Sequence, residues 1–214
     1  DEINRGTPRT QSALLEAMQE RAVTISGTRH LLDPLFSVIA TRNPIEMEGT
    51  YPLPEAQRDR FLLEVSLPDP GSDVLARIAA ATTQEQDPEV SPLLDPEHFA
   101  QMQRTVRRVI VADSVIDRAA RWVGASRPED SAAPDEVKEG VRLGAGARAL
   151  QAVILCGKVE ALRDGRTHMA DEDWRHWRHE AIRHRLVISL EGELNGLGPT
   201  EIVSAVDRAV VHLG

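Results

Sequence analysis

The sequence predicts an α/β unit followed by an all-helical unit, on three observations. Two short apolar runs, LFSVIA and FLLEVSL, read as buried strands separated by helical pattern, the arrangement of a parallel sheet. From Asp73 onward nearly every segment carries its apolar residues at helical spacing. The breaks between those segments are rich in Pro and Asp.

Thr7 and Pro8 form an N-cap and first-turn pair for a helix over TPRTQSALLEAMQE, with Leu14, Ala17 and Met18 on one face. The following AVTISGTRHLL holds two β-prone runs around Ser26-Gly27, a hairpin signal. LFSVIA then ends in the polar loop TRNPIEMEGTYPLPE, residues 54–60 are helical in pattern, and FLLEVSL returns to strand. Helices are expected over DVLARIAAATT, PEHFAQMQRTVRRV, DSVIDRAARWVGA, ALQAVILCGKVEALRDG, DEDWRHWRHEAIRHRLV and TEIVSAVDRAVVHL. The boundary between units falls in TQEQDPEVSPLLDP, giving 1–92 and 93–214.

The 214 residues are enough for one large or two small domains, and 41% hydrophobic with 28% charged residues is an ordinary globular composition. No apolar run approaches the roughly 20 residues of a spanning helix, and the polar, acidic opening DEINRGTPRT is unlike a secretory signal, so a cytoplasmic location is expected. The single Cys156 excludes an internal disulfide and reads as a small buried hydrophobe. A net charge of −9 opposes nucleic-acid binding over most of the surface. A chain opening on a charged pair that runs straight into a helix signal reads as part of a longer protein.

Asp1-Glu2 is the first candidate for chemistry. A carboxylate pair before a helix suits magnesium binding and water activation, although acidic residues near a helix start are also favoured by its dipole. Context decides between these. The strings DEINRGTPRTQSALLEAMQERAVTISG and FSVIATRNPIEMEGTYPLPEAQRDRF closely resemble the MoxR family of AAA+ ATPases over about sixty residues. The resemblance implies a Walker B pair at Asp1 and Glu2, with Asp1 binding Mg2+ and Glu2 acting on the lytic water. It implies a sensor-1 asparagine at Asn43, whose amide can donate to a phosphate oxygen or orient water. It implies an arginine finger at Arg60, reaching the γ-phosphate of a neighbouring subunit. Arg58 stands where the family usually has an apolar residue, which leaves open which arginine acts.

A looser resemblance covers about 142–187, where GAGARA replaces the family's GASPRA and retains Arg148 as the candidate sensor-2 arginine. Together these imply the distal part of an αβα nucleotide-binding core followed by a helical lid. They further imply ATP and Mg2+ as ligands, a homo-oligomeric ring, usually a hexamer, and a protein client, with von Willebrand factor A-domain proteins as frequent partners. No G-x-x-x-x-G-K-[ST] string occurs in the chain, so the groups that cradle phosphates are expected in an upstream segment. Two other readings stay open: a non-catalytic assembly module of such a ring, and a nucleic-acid remodeller.

Other features have plainer readings. His176, His179 and Glu180 depart from the H-E-x-x-H order and read as a solvated helix face. Arg104, Arg107 and Arg108 share a face, but with few aromatics to stack bases an intersubunit or solvent role fits better. Trp122, Trp174 and Trp177 are expected in helix packing.

Overall fold

A computed structural model of the chain describes residues 1–43, 49–84 and 91–211. Pro44 to Glu48 of the polar loop, residues 85–90 of the expected domain boundary and the end of the last helical segment lie outside the described residues. The first part opens with a 3-10 turn, Ile3–Arg5, and helix α1, Pro8–Glu20. Thr7 caps α1 by accepting from the Thr10 N–H, and Pro8 occupies the first turn, where its missing N–H costs nothing. A hairpin follows, β1 (Ala22–Ile25) against β2 (Thr28–Leu31), closed by Ser26 and Gly27 at φ 50° and 81°. Two consecutive positive φ angles are what a two-residue turn needs to match strand twist. Helix α2, Glu55–Arg58, and helix α3, Ser72–Thr82, complete this part.

The two expected parallel strands are the main departure. Residues 35–40 and 61–67 adopt no strand among the described residues. Several of their apolar side chains are exposed, Ile39 at 95% and Leu67 at 88%, while Leu35, Val38, Phe61 and Leu63 are half-buried. A strand is held by ladder hydrogen bonds from neighbours, and a β-prone run without them stays irregular.

The helical part is built on helix α7, Ala147–Arg163, against which pack α4 (Pro96–Arg108), α5 (Asp113–Gly124), α8 (Asp171–His176) and α9 (Arg178–Ile182). Helices α6 (Asp135–Gly140), α10 (Leu190–Leu194) and α11 (Pro199–Val211) close it. Four strand pieces of two or three residues tie its ends: β3 (Ile110–Val111) runs parallel to β5 (His168–Met169), and β4 (Val141–Leu143) antiparallel to β6 (Val187–Ile188). The segment expected as one helix over 171–187 breaks at Trp177, whose ψ of 3° interrupts the ladder, into α8, α9 and a 3-10 turn at Arg183–Arg185.

The continuous buried core belongs to this part. Trp122 and Trp174 meet at 5.7 Å inside it, and each indole N–H is satisfied, by Asp207 at 2.8 Å and Asp171 at 3.0 Å. Gly157 lets α7 approach α8, because a Cβ there would lie 2.7 Å from Met169 Sδ and 3.0 Å from the Trp174 nitrogen. Cys156 is buried as expected, and desolvation pushes its thiol up to about 11, so it stays protonated. By contrast, α3 is exposed along its whole length. No described helix is long and apolar enough to cross a membrane.

Asp173 is buried and accepts two bonds from Arg166, at 2.5 and 2.7 Å, and one from the Ala170 N–H at 2.7 Å. The Arg166 bonds hold its carboxyl below the ordinary 3.8, against desolvation. A depressed carboxylate adds stability above the unfolded value, and loses it as pH falls below 3.8 toward the folded value. Arg166→Met, which leaves the buried Asp173 without its guanidinium partner, should therefore lower the urea unfolding midpoint at neutral pH. Asp173→Asn should cost less, since Arg166 can turn to Asp164 and solvent, and should flatten the acid limb of the melting curve.

Candidate functional site

The sequence places Asp1 and Glu2 forty residues from the ATRNP string, and the fold brings them into contact. Thr41 is the pin: its hydroxyl donates to Asp1 Oδ1 and accepts from the Glu2 N–H at 2.9 Å. The Ile3 N–H donates to the Thr41 carbonyl at 2.9 Å, a ladder-like bond setting the two segments side by side. The Asn4 amide donates to the Asn43 carbonyl at 3.3 Å, and the Tyr51 N–H to the Asn4 carbonyl at 2.6 Å. Gln11, 4% exposed on α1, donates to the Tyr51 carbonyl at 3.1 Å. Asp1, Glu2 and Asn43 thus occupy adjoining ends of two chain segments.

Glu2 has φ 46°, a left-handed conformation unusual outside Gly, and its carboxylate pairs with Arg5 at 2.8 Å. Asp1 and Asn43 are exposed. Magnesium takes oxygen ligands and often only one or two protein carboxylates, the rest coming from phosphates and water. The exposed Asp1 carboxylate, with Glu2 beside it, fits that protein share. Thr41 was missed from sequence, although it lies two residues before Asn43 in the same string.

The candidate arginines form a second group, at the seam between the first part and the helical part. The 58–62 segment leaves α2 without regular structure and is gripped by Arg185. Arg185, 6% exposed, donates from Nε to Asp59 Oδ1 at 3.0 Å and from Nη2 to the carbonyls of Asp59 and Phe61 at 3.1 and 2.6 Å. Its Nη1 reaches the carbonyl of Leu62 at 3.3 Å and that of Ala181. Burial pushes this guanidinium down and Asp59 opposes the shift; at such a starting value the charge persists at neutral pH.

Arg148 Nη1 donates to the other Asp59 oxygen at 2.8 Å. Gly146 caps α7 with extended backbone, which puts Arg148 in the first helical turn. Arg58 and Arg60 flank Asp59, and each holds a buried Nε with no hydrogen-bond partner among the described residues. The same is true of Arg183 Nε, so this feature does not distinguish Arg58 from Arg60. One link joins this group to the carboxylates: Arg42, beside Asn43, pairs with Glu64 at 3.3 Å, and Glu64 also pairs with Arg183 at 3.3 Å.

The remaining sequence features take other partners. His179 contacts the Thr200 hydroxyl at 3.0 Å, and His176 packs edge-on to Trp177. Arg104, Arg107 and Arg108 are exposed on α4, and Arg107 with Lys158 borders a shallow groove of about 500 Å³ over Ile116, Leu150 and Ile154.

The profile of the ATPase family associated with various cellular activities matches residues 1–63. Chaperone MoxR1 of Mycobacterium tuberculosis is 34% identical over 98% of this chain and 55% of its own length. The uncharacterized protein YeaC of Bacillus subtilis is 35% identical, over 98% of this chain and 63% of its own. A crystal structure of a candidate ATPase from Cytophaga hutchinsonii superposes with a TM-score of 0.90 at 30% identity, covering 98% of this chain and 64% of that one. The chain belongs to the MoxR family of AAA+ ATPases. It spans between 55% and 64% of the length of these relatives. Its fold is accordingly an AAA+ core portion with a helical lid, and the MoxR assignment places the Thr41-pinned carboxylates on the profile-matched segment.

His184, 4% exposed at the seam, has its Nε2 3.1 Å from the Phe61 carbonyl, which identifies that nitrogen as the protonated one. Burial, then the neighbouring Arg185, pushes its pKa from 6.5 to about 4, against the hydrogen bond to Phe61 and the charge of Glu64. The folded state prefers the neutral ring, so stability is full above pH 6.5 and declines as pH falls toward 4. Melting temperature should drop across that window with one proton taken up per chain, and His184→Gln should remove that uptake.

Proposed function

We propose that this chain carries the hydrolytic and sensing half of a MoxR-type ATPase, with residues 1–92 as the core portion and 93–214 as the lid. The observation that carries the reading is the pairing of Asp1 and Glu2 with Thr41, with the Asn43 backbone held alongside by the Asn4 amide. Asp1 would bind Mg2+, which when present neutralises phosphate charge. Glu2 orients and deprotonates the attacking water, and the Asn43 amide faces the same water or a γ-phosphate oxygen. Arg60, with Arg58 as the competing candidate, reaches a neighbouring subunit's γ-phosphate, a reading supported by the family match over residues 1–63. Arg148 senses the phosphate from the lid of its own subunit.

This requires a phosphate cradle upstream of Asp1. Exposure of the β-prone runs at 35–40 and 61–67 supports further sheet strands beside them, and the greater length of the relatives supports it independently. The assembled protein is a cytoplasmic ring, a hexamer by family habit, that remodels a protein client, with von Willebrand factor A-domain proteins as first candidates.

The purified 214-residue chain should show no magnesium-dependent ATP turnover, whereas a protein extended upstream through a P-loop should. Turnover by the short chain would end this reading. In the extended protein, Glu2→Gln should lower kcat by about 10²–10⁴ with ATP binding retained. Arg60→Ala should lower it by about 10³–10⁵, and an undiminished rate would pass the finger to Arg58. Duplex and single-stranded DNA should show no salt-dependent binding.

A further inference from the structure

Asp59 is where the lid grips the segment that carries Arg58 and Arg60. Its two carboxylate oxygens are divided: Oδ1 accepts from Arg185 and Oδ2 from Arg148. The two arginines are not equivalent. The Arg185 side chain is 3% exposed, and its five N–H groups all reach acceptors on residues 59, 61, 62 and 181, so it is locked. The Arg148 side chain is 44% exposed and is held to Asp59 by one hydrogen bond, so it is the exchangeable partner.

We propose that Asp59 is a positioning residue that holds Arg148 in reserve and yields it to the terminal phosphate of ATP bound in the same subunit. The inference rests on Arg148 being the phosphate-sensing arginine. A triphosphate terminus carries more charge than a carboxylate and accepts a guanidinium in two-pronged geometry, so it competes well for Arg148. Release leaves no stranded charge, because Arg185 still neutralises Asp59. The exchange therefore trades one charge-assisted bond for another and is reversible. Its consequence is mechanical: one of two side-chain ties between lid and Asp59 opens when ATP binds, and Arg58 and Arg60 adjoin that residue. Arg58 and Arg60 thereby become sensitive to the nucleotide in their own subunit.

The test uses the full-length protein and titrates a non-hydrolysable ATP analogue and ADP by calorimetry. Arg148→Gln examines the underlying reading: it should lower the preference for the triphosphate over ADP by about tenfold. An unchanged preference would overturn the sensor assignment, and failure of the wild type to bind either nucleotide would overturn the ATPase reading. Asp59→Asn examines the exchange itself. Removing the competing carboxylate should raise the triphosphate preference by about tenfold, and the gain should vanish in the Asp59→Asn, Arg148→Gln double variant. A preference within twofold of wild type, or a gain that survives loss of Arg148, overturns the proposal. Where Asn fails to fold against Arg185, Asp59→Ser makes the same neutralisation and is judged by the same ratio.

Discussion

The Arg185 guanidinium is the interaction on which the arginine seam depends. Five N–H donors meet five acceptors, four of them on residues 59–62 and the other on Ala181. Residues 59–62 have no strand neighbour and make no helix, so their backbone carbonyls require another source of hydrogen bonds. A buried guanidinium supplies them in a planar fork that admits little variation in geometry. Removing it would take the donor from the Asp59 and Leu62 carbonyls, while Arg148 would still pair with Asp59 and His184 with the Phe61 carbonyl. The irregular segment is thus fixed chiefly by Arg185, with Arg148 and His184 from the same part of the molecule assisting.

The seam gathers positive charge in a chain whose net charge is −9. Arg148 and Arg185 pair with Asp59, Arg42 and Arg183 pair with Glu64, and Arg58 and Arg60 adjoin Asp59 in the chain. Such a local excess of positive charge favours an anion nearby. Under the proposed function, the triphosphate of ATP would be that anion.

Helix periodicity made the helical part legible, because burying a stripe on α7 or α11 leaves a 3.6-residue pattern in the sequence. Thr7-Pro8 and Ser26-Gly27 were readable for the same local reason: capping and positive-φ turns depend on the residues themselves. The strands at 35–40 and 61–67 were not, since a β-prone run becomes a strand only when partners lie beside it. Asp1, Glu2, Asn43, Arg60 and Arg148 came from family resemblance rather than from any local rule. Thr41, Asp59 and Arg185 escaped both routes. Their importance lies in contacts spanning 39 to 126 positions, which no window of sequence displays.

The two parts also differ in how they hold themselves together. The continuous core runs from Val109 to Val206, and Leu63 is the residue of the first part that packs against it. Residues 1–43 bury little apolar surface, chiefly Ala17 and Ala22. Order around the carboxylates rests instead on polar bonds: Thr41 to Asp1 and Glu2, Ile3 to Thr41, Gln11 to Tyr51. Each such bond contributes only about 0.5–1.5 kcal/mol net, so they fix geometry more than they stabilise a fold. The helical part holds its own continuous core, whereas the carboxylate segment is ordered by polar bonds along its length. Under the proposed function, chemistry would sit on the polar-bonded part and sensing on the part with its own core, with Asp59 and Arg185 joining the two.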